Sequence, residues 1–107
     1  MRAYENIYVN GQWIASAGSG SLKVTDSATE EVIASVPEGA AGDVDKAVAA
    51  ARAAFPAWSA TPKEERAAYL MKIHAGLEAR TDEIASTIAK EVGMPIFLSN
   101  LIQVGLP

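Results

Sequence analysis

The residues of this sequence that could carry out chemistry are few and widely spaced. His74 is the only histidine among the 107 residues and lies on the apolar side of a predicted helix. No second histidine and no cysteine lies at helical spacing from it, so we interpret it as a packed structural residue rather than a metal ligand. The segment Gly18-Ser19-Gly20 lacks the lysine, the spacing and the following helix of a phosphate-binding loop. Neither feature predicts a binding site.

The remaining polar and aromatic candidates have structural interpretations. The acidic pairs Glu64-Glu65 and Asp82-Glu83 fall in the first turns of predicted helices, where negative charge favours the helix dipole. Trp13 and Trp58 could form a ligand platform, but an aromatic residue beside a turn is more often part of the packing. The sequence has no cysteine, which excludes disulfides, thiolate metal sites and a cysteine nucleophile within these residues. We therefore predict no catalytic and no cofactor-binding residue here.

Composition restricts the class of partner. The 9 lysines and arginines are outnumbered by 13 acidic residues and form no basic run, so the net charge is -4 and a nucleic-acid partner is not expected. No window approaches the ~18 apolar residues that a membrane span needs, and the N-terminus leads into no apolar signal region. We expect no membrane partner and a cytoplasmic location.

Two kinds of local pattern divide the chain. The segment from about residue 6 to residue 37 is predicted to form a small β unit. Within it, Asn10-Gly11 separates two β-favouring runs and is typical of a type I′ hairpin turn. Further strands are predicted over residues 22–25 and 32–36, with a turn between them. Residues of about 43–107 show helical periodicity instead. The predicted fold class is therefore α/β, a short β unit followed by three to four amphipathic helices.

Start and stop residues define the helices. Asp43 is a favourable N-cap for the first helix, and Pro56 is expected to end it. The second helix is predicted to open at Thr61 as the cap, with Pro62 in the first helical position and Glu64 completing a capping box. The third helix is expected to start near residues 81–82. It is expected to end just before Gly93, which can adopt the left-handed conformation that follows many helices.

The apolar faces of these helices are larger than the β unit can cover. On the second helix the stripe includes Leu70, Met71 and Leu77, and the third is expected to bury Ile84, Ile88 and Val92. On the first helix the stripe is Val44, Ala47, Val48, Ala51 and Phe55. An uncovered apolar patch of several hundred Å² tends to bind a partner. We therefore expect these helices to cover something beyond the β unit.

Several segments, taken together and in order, resemble the N-terminus of the aldehyde dehydrogenase superfamily. They are Tyr8-Val9-Asn10-Gly11-Gln12-Trp13, Val24-Thr25-Asp26-Ser27-Ala28-Thr29-Glu30-Glu31-Val32-Ile33, Asp43 to Phe55 with Trp58, Arg66, and Glu91-Val92-Gly93-Met94-Pro95. Three positions depart from the family pattern. Ser27 stands where proline is usual, Glu30 where glycine is common and Met94 where lysine is frequent, so the departures concern turns.

The resemblance implies a part of a larger enzyme. Family members are several times longer and oxidise aldehydes to carboxylic acids with NAD or NADP, through a cysteine thiohemiacetal, hydride transfer and hydrolysis. Their catalytic residues and their dinucleotide-binding segment lie beyond position 107, so this segment is expected to be scaffold of the dinucleotide-binding domain, inactive alone. Its expected partners are the remainder of the enzyme chain or homologous subunits, in a homo-oligomer. The alternative is a short non-catalytic module that binds a protein through its apolar helix faces.

The resemblance also suggests roles for four residues. Ile102 and Leu106 fall where family members line the substrate tunnel, four residues apart and so on one face of an α-helix. Core or partner packing explains these two residues equally well. Thr25 and Glu91 fall where some members hold a monovalent cation, between a carbonyl group and a carboxylate, and oxygen ligands suit a hard cation. For Glu91, a solvated carboxylate at a helix end is the alternative.

Overall fold

The computed structural model describes residues 2–107. Five strands precede the helices, and they form two sheets. The strands are β1 (Arg2–Ala3), β2 (Asn6–Val9), β3 (Gln12–Ala15), β4 (Ser21–Thr25) and β5 (Val32–Pro37). Strand β5 lies between β1 and β4 in a three-stranded sheet, while β2 and β3 form a separate hairpin. The predicted α/β class is confirmed.

The β2–β3 hairpin forms as the Asn10-Gly11 pair predicts. Both turn residues have positive φ, 53° at Asn10 and 76° at Gly11, which is the backbone that a type I′ turn requires. The antiparallel register places Tyr8 opposite Trp13, and their rings meet edge to face with centroids 5.2 Å apart. The hairpin prediction is confirmed.

Strand β1 was not predicted, because two residues give no periodicity. Arg2 and Ala3 pair in parallel with Ala34 and Ser35 of β5. The Tyr4 amide extends the pairing by donating to the Ser35 carbonyl over 2.9 Å. The extended conformation of β1 therefore depends on pairing with β5, which is distant in sequence. No local sequence pattern indicates this pairing.

The turn between β4 and β5 contains a residue in an unfavourable conformation. The Asp26 carboxylate accepts hydrogen bonds from the amides of Ala28 and Thr29, at 2.9 and 3.2 Å, which is an Asx turn. The Glu30 amide donates to the Asp26 carbonyl over 2.8 Å. Glu30 has φ 61°, in the left-handed region that glycine adopts without steric cost. The resemblance identified this position as one where glycine is common.

Helix α1 runs from Ala41 to Ala60, and both predicted ends are wrong. Asp43 is the third helical residue rather than the N-cap, because its carboxylate reaches back to the Ala40 amide over 2.9 Å. Pro56 lies inside the helix. The helix ends where Thr61 turns extended, φ -64° and ψ 133°, since a residue that precedes proline is driven out of the helical region.

Helix α2 spans Lys63–Glu78, and the predicted capping box is wrong. The Thr61 hydroxyl donates a hydrogen bond to the Ala57 carbonyl of α1 over 3.0 Å. It therefore satisfies a carbonyl at the end of α1 and does not cap the start of α2. Pro62 occupies the N-cap position, one residue before the predicted one. No residue of α2 is buried.

Helix α3 spans Thr81–Val92 and ends as the sequence predicts. Gly93 has φ 69°, and its amide donates to the Ala89 carbonyl over 3.0 Å. The predicted buried face is wrong at one position, because Val92 is 68% exposed. Ala85 is the buried residue of this helix, while Ile84 and Ile88 are half-buried.

The last helical segment has an irregular geometry. A short turn of α-helix, α4 (Ile96–Leu98), passes directly into a π-helical segment, Ser99–Val104. The Asn100 side-chain amide donates to the Ile96 carbonyl over 3.1 Å. Ser99 is fully buried, and its hydroxyl has no hydrogen-bond partner among the described residues.

Two compact units make up the described part of the chain. One contains residues up to 24 together with 32–61, and the other contains 25–31 together with 62–107. The fully or largely buried residues among residues 2–107 are only Ala85, Asp43 and Ser99. Many large apolar side chains of α1 and α2 are exposed, as the excess of apolar helix surface predicts. None of the described helices is long and apolar enough to cross a lipid bilayer.

Candidate functional site

The carboxylate of Asp43, at the start of α1, accepts hydrogen bonds from three donors. It is 6% exposed and lies within reach of the segment that follows β3. The Ser16 hydroxyl donates to Asp43 Oδ2 over 2.6 Å, and the Ala17 amide donates to Oδ1 over 2.8 Å. With the Ala40 amide, three donors converge on one carboxylate. The sequence predicts a capping role for Asp43 but does not indicate its distant partners, Ser16 and Ala17.

These donors stabilise the charged form of the group. They lower the pKa of Asp43 from 3.8 to about 2, the Ser16 hydrogen bond contributing most and the amides of Ala40 and Ala17 next. Burial opposes the shift, and Lys46 contributes a smaller attraction. A carboxylate so weakly basic, with its oxygens already accepting hydrogen bonds, is unsuited to general base catalysis near neutral pH. Its arrangement is that of a structural anchor between α1 and the β unit.

The glycine segment after β3 approaches an acidic residue closely. A Cβ atom at Gly18 would lie 2.6 Å from the Glu38 carbonyl oxygen, and one at Gly20 would overlap the Glu38 carboxylate. The glycines therefore permit close packing of two chain segments. A neighbouring carboxylate also repels a phosphate group, which supports the absence of a phosphate site here.

The segments that contain the two suggested cation ligands meet through Ser27. Its amide and its hydroxyl both donate to the Lys90 carbonyl, at 2.8 and 2.9 Å, and thereby satisfy a carbonyl at the C-terminal end of α3. Thr25 ends β4, and Glu91 is exposed in the last turn of α3. The described residues contain no group of three or more histidine, cysteine or acidic side chains placed to hold a metal. The cation assignment remains a prediction.

The two suggested tunnel residues do not share an α-helical face. Ile102 lies in the π-helical segment, whereas Leu106 lies beyond its last residue, Val104. Spacing of four residues therefore no longer places the two side chains one above the other, and this part of the prediction is wrong. Ile102 is 41% exposed and Leu106 is 76% exposed. Their role at a substrate entrance remains a prediction.

His74 is exposed in the described part of the chain. The prediction that its side chain is packed is therefore wrong. His74 lines a cavity of about 240 Å³ together with Leu77, Glu78 and Val104. The two tryptophans are also less buried than expected, Trp13 being 67% exposed and Trp58 44%. The residues that the sequence offers as possible functional groups are therefore mostly exposed.

Comparison with known proteins decides the family. A family model described as the aldehyde dehydrogenase family matches residues 13–105. The chain belongs to the aldehyde dehydrogenase family. A 3-succinoylsemialdehyde-pyridine dehydrogenase of a Pseudomonas species is 38% identical over 107 residues, which are 100% of this chain and 21% of that protein. The predicted family is thus confirmed.

Solved structures of aldehyde dehydrogenases share the fold. The enzyme from Bartonella henselae gives a TM-score of 0.93 at 35% identity, over 98% of this chain and 22% of that one. Aldehyde dehydrogenase C from Pseudomonas syringae, determined with NAD+ and octanal, gives 0.91 at 44% identity, over 95% and 21%. The chain matches the N-terminal part of these enzymes and spans about a fifth of the length of its relatives.

Proposed function

We propose that this aldehyde dehydrogenase segment is the N-terminal scaffold of an oxidoreductase that converts an aldehyde to a carboxylic acid with NAD or NADP. The observation that carries the proposal is the family match over residues 13–105, which extends over about a fifth of the length of the relatives. The enzyme is proposed to be a cytoplasmic homo-oligomer. The partners of the segment are the remainder of the enzyme chain and homologous subunits.

The chemistry assigns the catalytic role to residues outside this segment. Aldehyde oxidation in the family begins with attack of a thiolate on the aldehyde carbon, and this sequence contains no cysteine. The strongly perturbed carboxylate, Asp43, is held as a weak base by Ser16 and two amides. These observations support a segment that positions other parts of the enzyme and has no turnover alone.

The cofactor is proposed to bind the rest of the enzyme. Aldehyde dehydrogenase C from Pseudomonas syringae and the protein PnpE were both determined with NAD, which supports a nicotinamide cofactor in the longer enzyme. Such a cofactor accepts hydride from the substrate when bound. The glycine segment at Gly18 and Gly20 approaches Glu38, so it does not suit a dinucleotide phosphate.

Two accessory roles complete the proposal. The Thr25 carbonyl and the Glu91 carboxylate offer oxygen ligands of the kind that a monovalent cation prefers. Ile102 and Leu106 are proposed to contribute apolar surface to the substrate entrance, each from its own segment rather than from one helix face. Their exposure supports contact with parts of an enzyme outside this segment.

The proposed function is tested by measuring reduced nicotinamide with a panel of aldehydes, with NAD and with NADP. We expect no turnover from the purified 107-residue chain, and turnover from a longer chain that includes the family's catalytic cysteine. A chain that keeps turning over aldehyde after repeated purification would contradict the scaffold role. Replacement of that cysteine in the longer chain is the control, and it should abolish product formation.

A further inference from the structure

An open cavity lies between the segment that links β1 to β2 and one face of the β2–β3 hairpin. Its volume is about 360 Å³, at the lower end of the roughly 300–1,000 Å³ typical of small-molecule sites. The cavity is lined by Ala3, Tyr4, Glu5, Asn6 and Trp13. All five belong to the compact unit that contains residues up to 24 together with 32–61. Two aromatic rings and one carboxylate therefore share one concave surface.

The strand alternation of the hairpin places Trp13 on this surface. Trp13 pairs with Tyr8 across the hairpin, and both side chains lie on its exposed face. Ile7 and Ile14 pair on the opposite face and are half-buried. The edge-to-face contact with the Tyr8 ring, 5.2 Å between centroids, orients the Trp13 indole while the residue stays exposed. The indole is therefore a preformed part of the cavity wall.

Tyr4 is the second aromatic residue of the cavity, and it is fixed at its backbone and at its hydroxyl. Its amide donates to the Ser35 carbonyl of β5 over 2.9 Å. Its hydroxyl accepts a hydrogen bond from Arg2 Nη1 over 3.2 Å. The guanidinium carbon of Arg2 lies 5.9 Å from the centroid of the Tyr4 ring, which is a cation–π contact. The Tyr4 ring thus already attracts a cation within the chain.

The residues that line the cavity have the chemistry of a site for an organic cation. The face of an aromatic ring is electrostatically negative, and an indole attracts a cation more strongly than the other aromatic side chains do. Quaternary ammonium groups are bound by such rings because they carry charge but have no hydrogen to donate. Glu5 adds a negative charge, and the described lining residues include no lysine or arginine. An anion would be repelled by the same surface.

We propose that the cavity formed by Tyr4, Glu5 and Trp13 binds a small molecule with a quaternary ammonium group, of about the size of choline. The ammonium group lies against the two aromatic rings, and the Glu5 carboxylate balances its charge. The site takes no part in aldehyde oxidation, so the inference goes beyond the proposed function and does not depend on it. Because the lining side chains are exposed, we expect a dissociation constant on the order of millimolar.

Titration of the 107-residue chain with choline, followed by NMR of the ligand, provides the test. Methyl groups bound against aromatic rings should show a saturable upfield shift of their proton resonance. The matched control ligand is the neutral carbon analogue of choline, in which a tert-butyl group replaces the trimethylammonium group. We expect this analogue to bind about fivefold more weakly, because it has the same shape without the charge. Equal affinity for both ligands would indicate an apolar crevice and overturn the proposal.

Two substitutions test the individual groups. Trp13→Leu keeps an apolar side chain without the aromatic ring and should weaken choline binding by about fivefold or more. Glu5→Gln removes the charge at nearly constant shape and should weaken binding by about threefold. Glu31→Gln is the matched control, because Glu31 is exposed and lies outside the cavity, so choline should bind this variant as it binds the original chain.

Circular dichroism separates loss of the site from loss of the fold. If Trp13→Leu lowers the melting temperature, Glu5→Gln alone decides, because this change concerns an exposed side chain between two strands. Choline affinity that is equal in Glu5→Gln and Glu31→Gln would overturn the proposal, as would the absence of a saturable shift in the original chain.

A methylated lysine of another protein carries the same chemical group as a free quaternary ammonium compound. A short neutral peptide with one trimethyllysine is therefore titrated beside choline. Equal or weaker binding of the peptide supports a small-molecule site. Binding of the peptide about tenfold more tightly than choline would overturn that assignment, because contacts outside the cavity would then supply the affinity.

Discussion

The Ser16 hydroxyl donates a 2.6 Å hydrogen bond to the carboxylate of Asp43, across 27 residues of sequence. This contact is the largest cause of the lowered pKa of Asp43, about 2 against an ordinary 3.8. Since the folded pKa is the lower one, the contribution of Asp43 to stability is complete above about pH 4. It is lost as the pH falls from about 4 towards 2.

Removing the Ser16 hydroxyl should therefore raise the pKa of Asp43. We expect Ser16→Ala to move the midpoint of the Asp43 carboxyl titration, followed by NMR, upward towards its ordinary value. Ser19→Ala is the control, because Ser19 is exposed in the same loop and is not one of the three hydrogen-bond donors to Asp43, which are Ser16, Ala17 and Ala40. A titration midpoint that stays at about 2 in Ser16→Ala would contradict this role of the hydroxyl.

The hairpin turn provides a second prediction. Gly11 has φ 76°, a conformation that β-branched residues resist. We expect Gly11→Val to lower the free energy of unfolding by about 1 kcal/mol or more. Gly39→Val is the matched control, because an added Cβ meets no atom within 4 Å there and the backbone has no positive φ. Chemical denaturation measures both variants, and an unchanged midpoint for Gly11→Val would count against the turn.

Glu30 provides a prediction of increased stability. Its φ of 61° places a residue with a Cβ in the left-handed region, at a cost of about 1–2 kcal/mol relative to the helical region. Glu30→Gly should raise the free energy of unfolding by about 1 kcal/mol. Glu30→Ala removes the same charge and keeps the Cβ, so it should show no comparable gain. Equal effects of the two variants would attribute the change to charge instead of backbone conformation.

The buried hydroxyl of Ser99 provides a further prediction. It is fully buried and has no hydrogen-bond partner among the described residues, and a buried unsatisfied polar group costs about 1–3 kcal/mol. Ser99→Ala should therefore raise the denaturation midpoint. Ser59→Ala, at an exposed serine whose hydroxyl donates to the Pro56 carbonyl, should leave it nearly unchanged. A lower midpoint for Ser99→Ala would show that the hydroxyl is satisfied in solution.

The sequence predicts features that depend on neighbouring residues. The Asn10-Gly11 turn and the Gly93 helix end both need positive φ, and only a few residue types accept it, so the residue type reveals the geometry. The interior position of Pro56 was not predictable by this reasoning. Proline in a helix has an energetic cost rather than an absolute prohibition, and the effect of Pro62 on Thr61 decides where α1 ends.

Features that depend on distant residues were missed. The neighbouring residues indicate only a helix cap at Asp43. The hydrogen bonds that lower the pKa of its carboxyl group come in part from Ser16 and Ala17, which are distant in sequence. The spacing of Ile102 and Leu106 indicates one α-helical face, but the π-helical segment after Ser99 changes the register. Periodicity does identify the apolar face of α1. It cannot show that the face stays exposed, because burial depends on the whole fold.

The central claim is that α1 and α2 present apolar faces which the rest of an aldehyde dehydrogenase covers. The most direct measurement is the fluorescence of a hydrophobic dye mixed with the purified 107-residue chain. We expect strong enhancement, because Val44, Phe55 and Leu70 are each more than 60% exposed, and a weaker signal from Val48→Asp than from Ala49→Asp. If the chain causes no increase in dye fluorescence under native conditions, the claim that these apolar faces are exposed is contradicted.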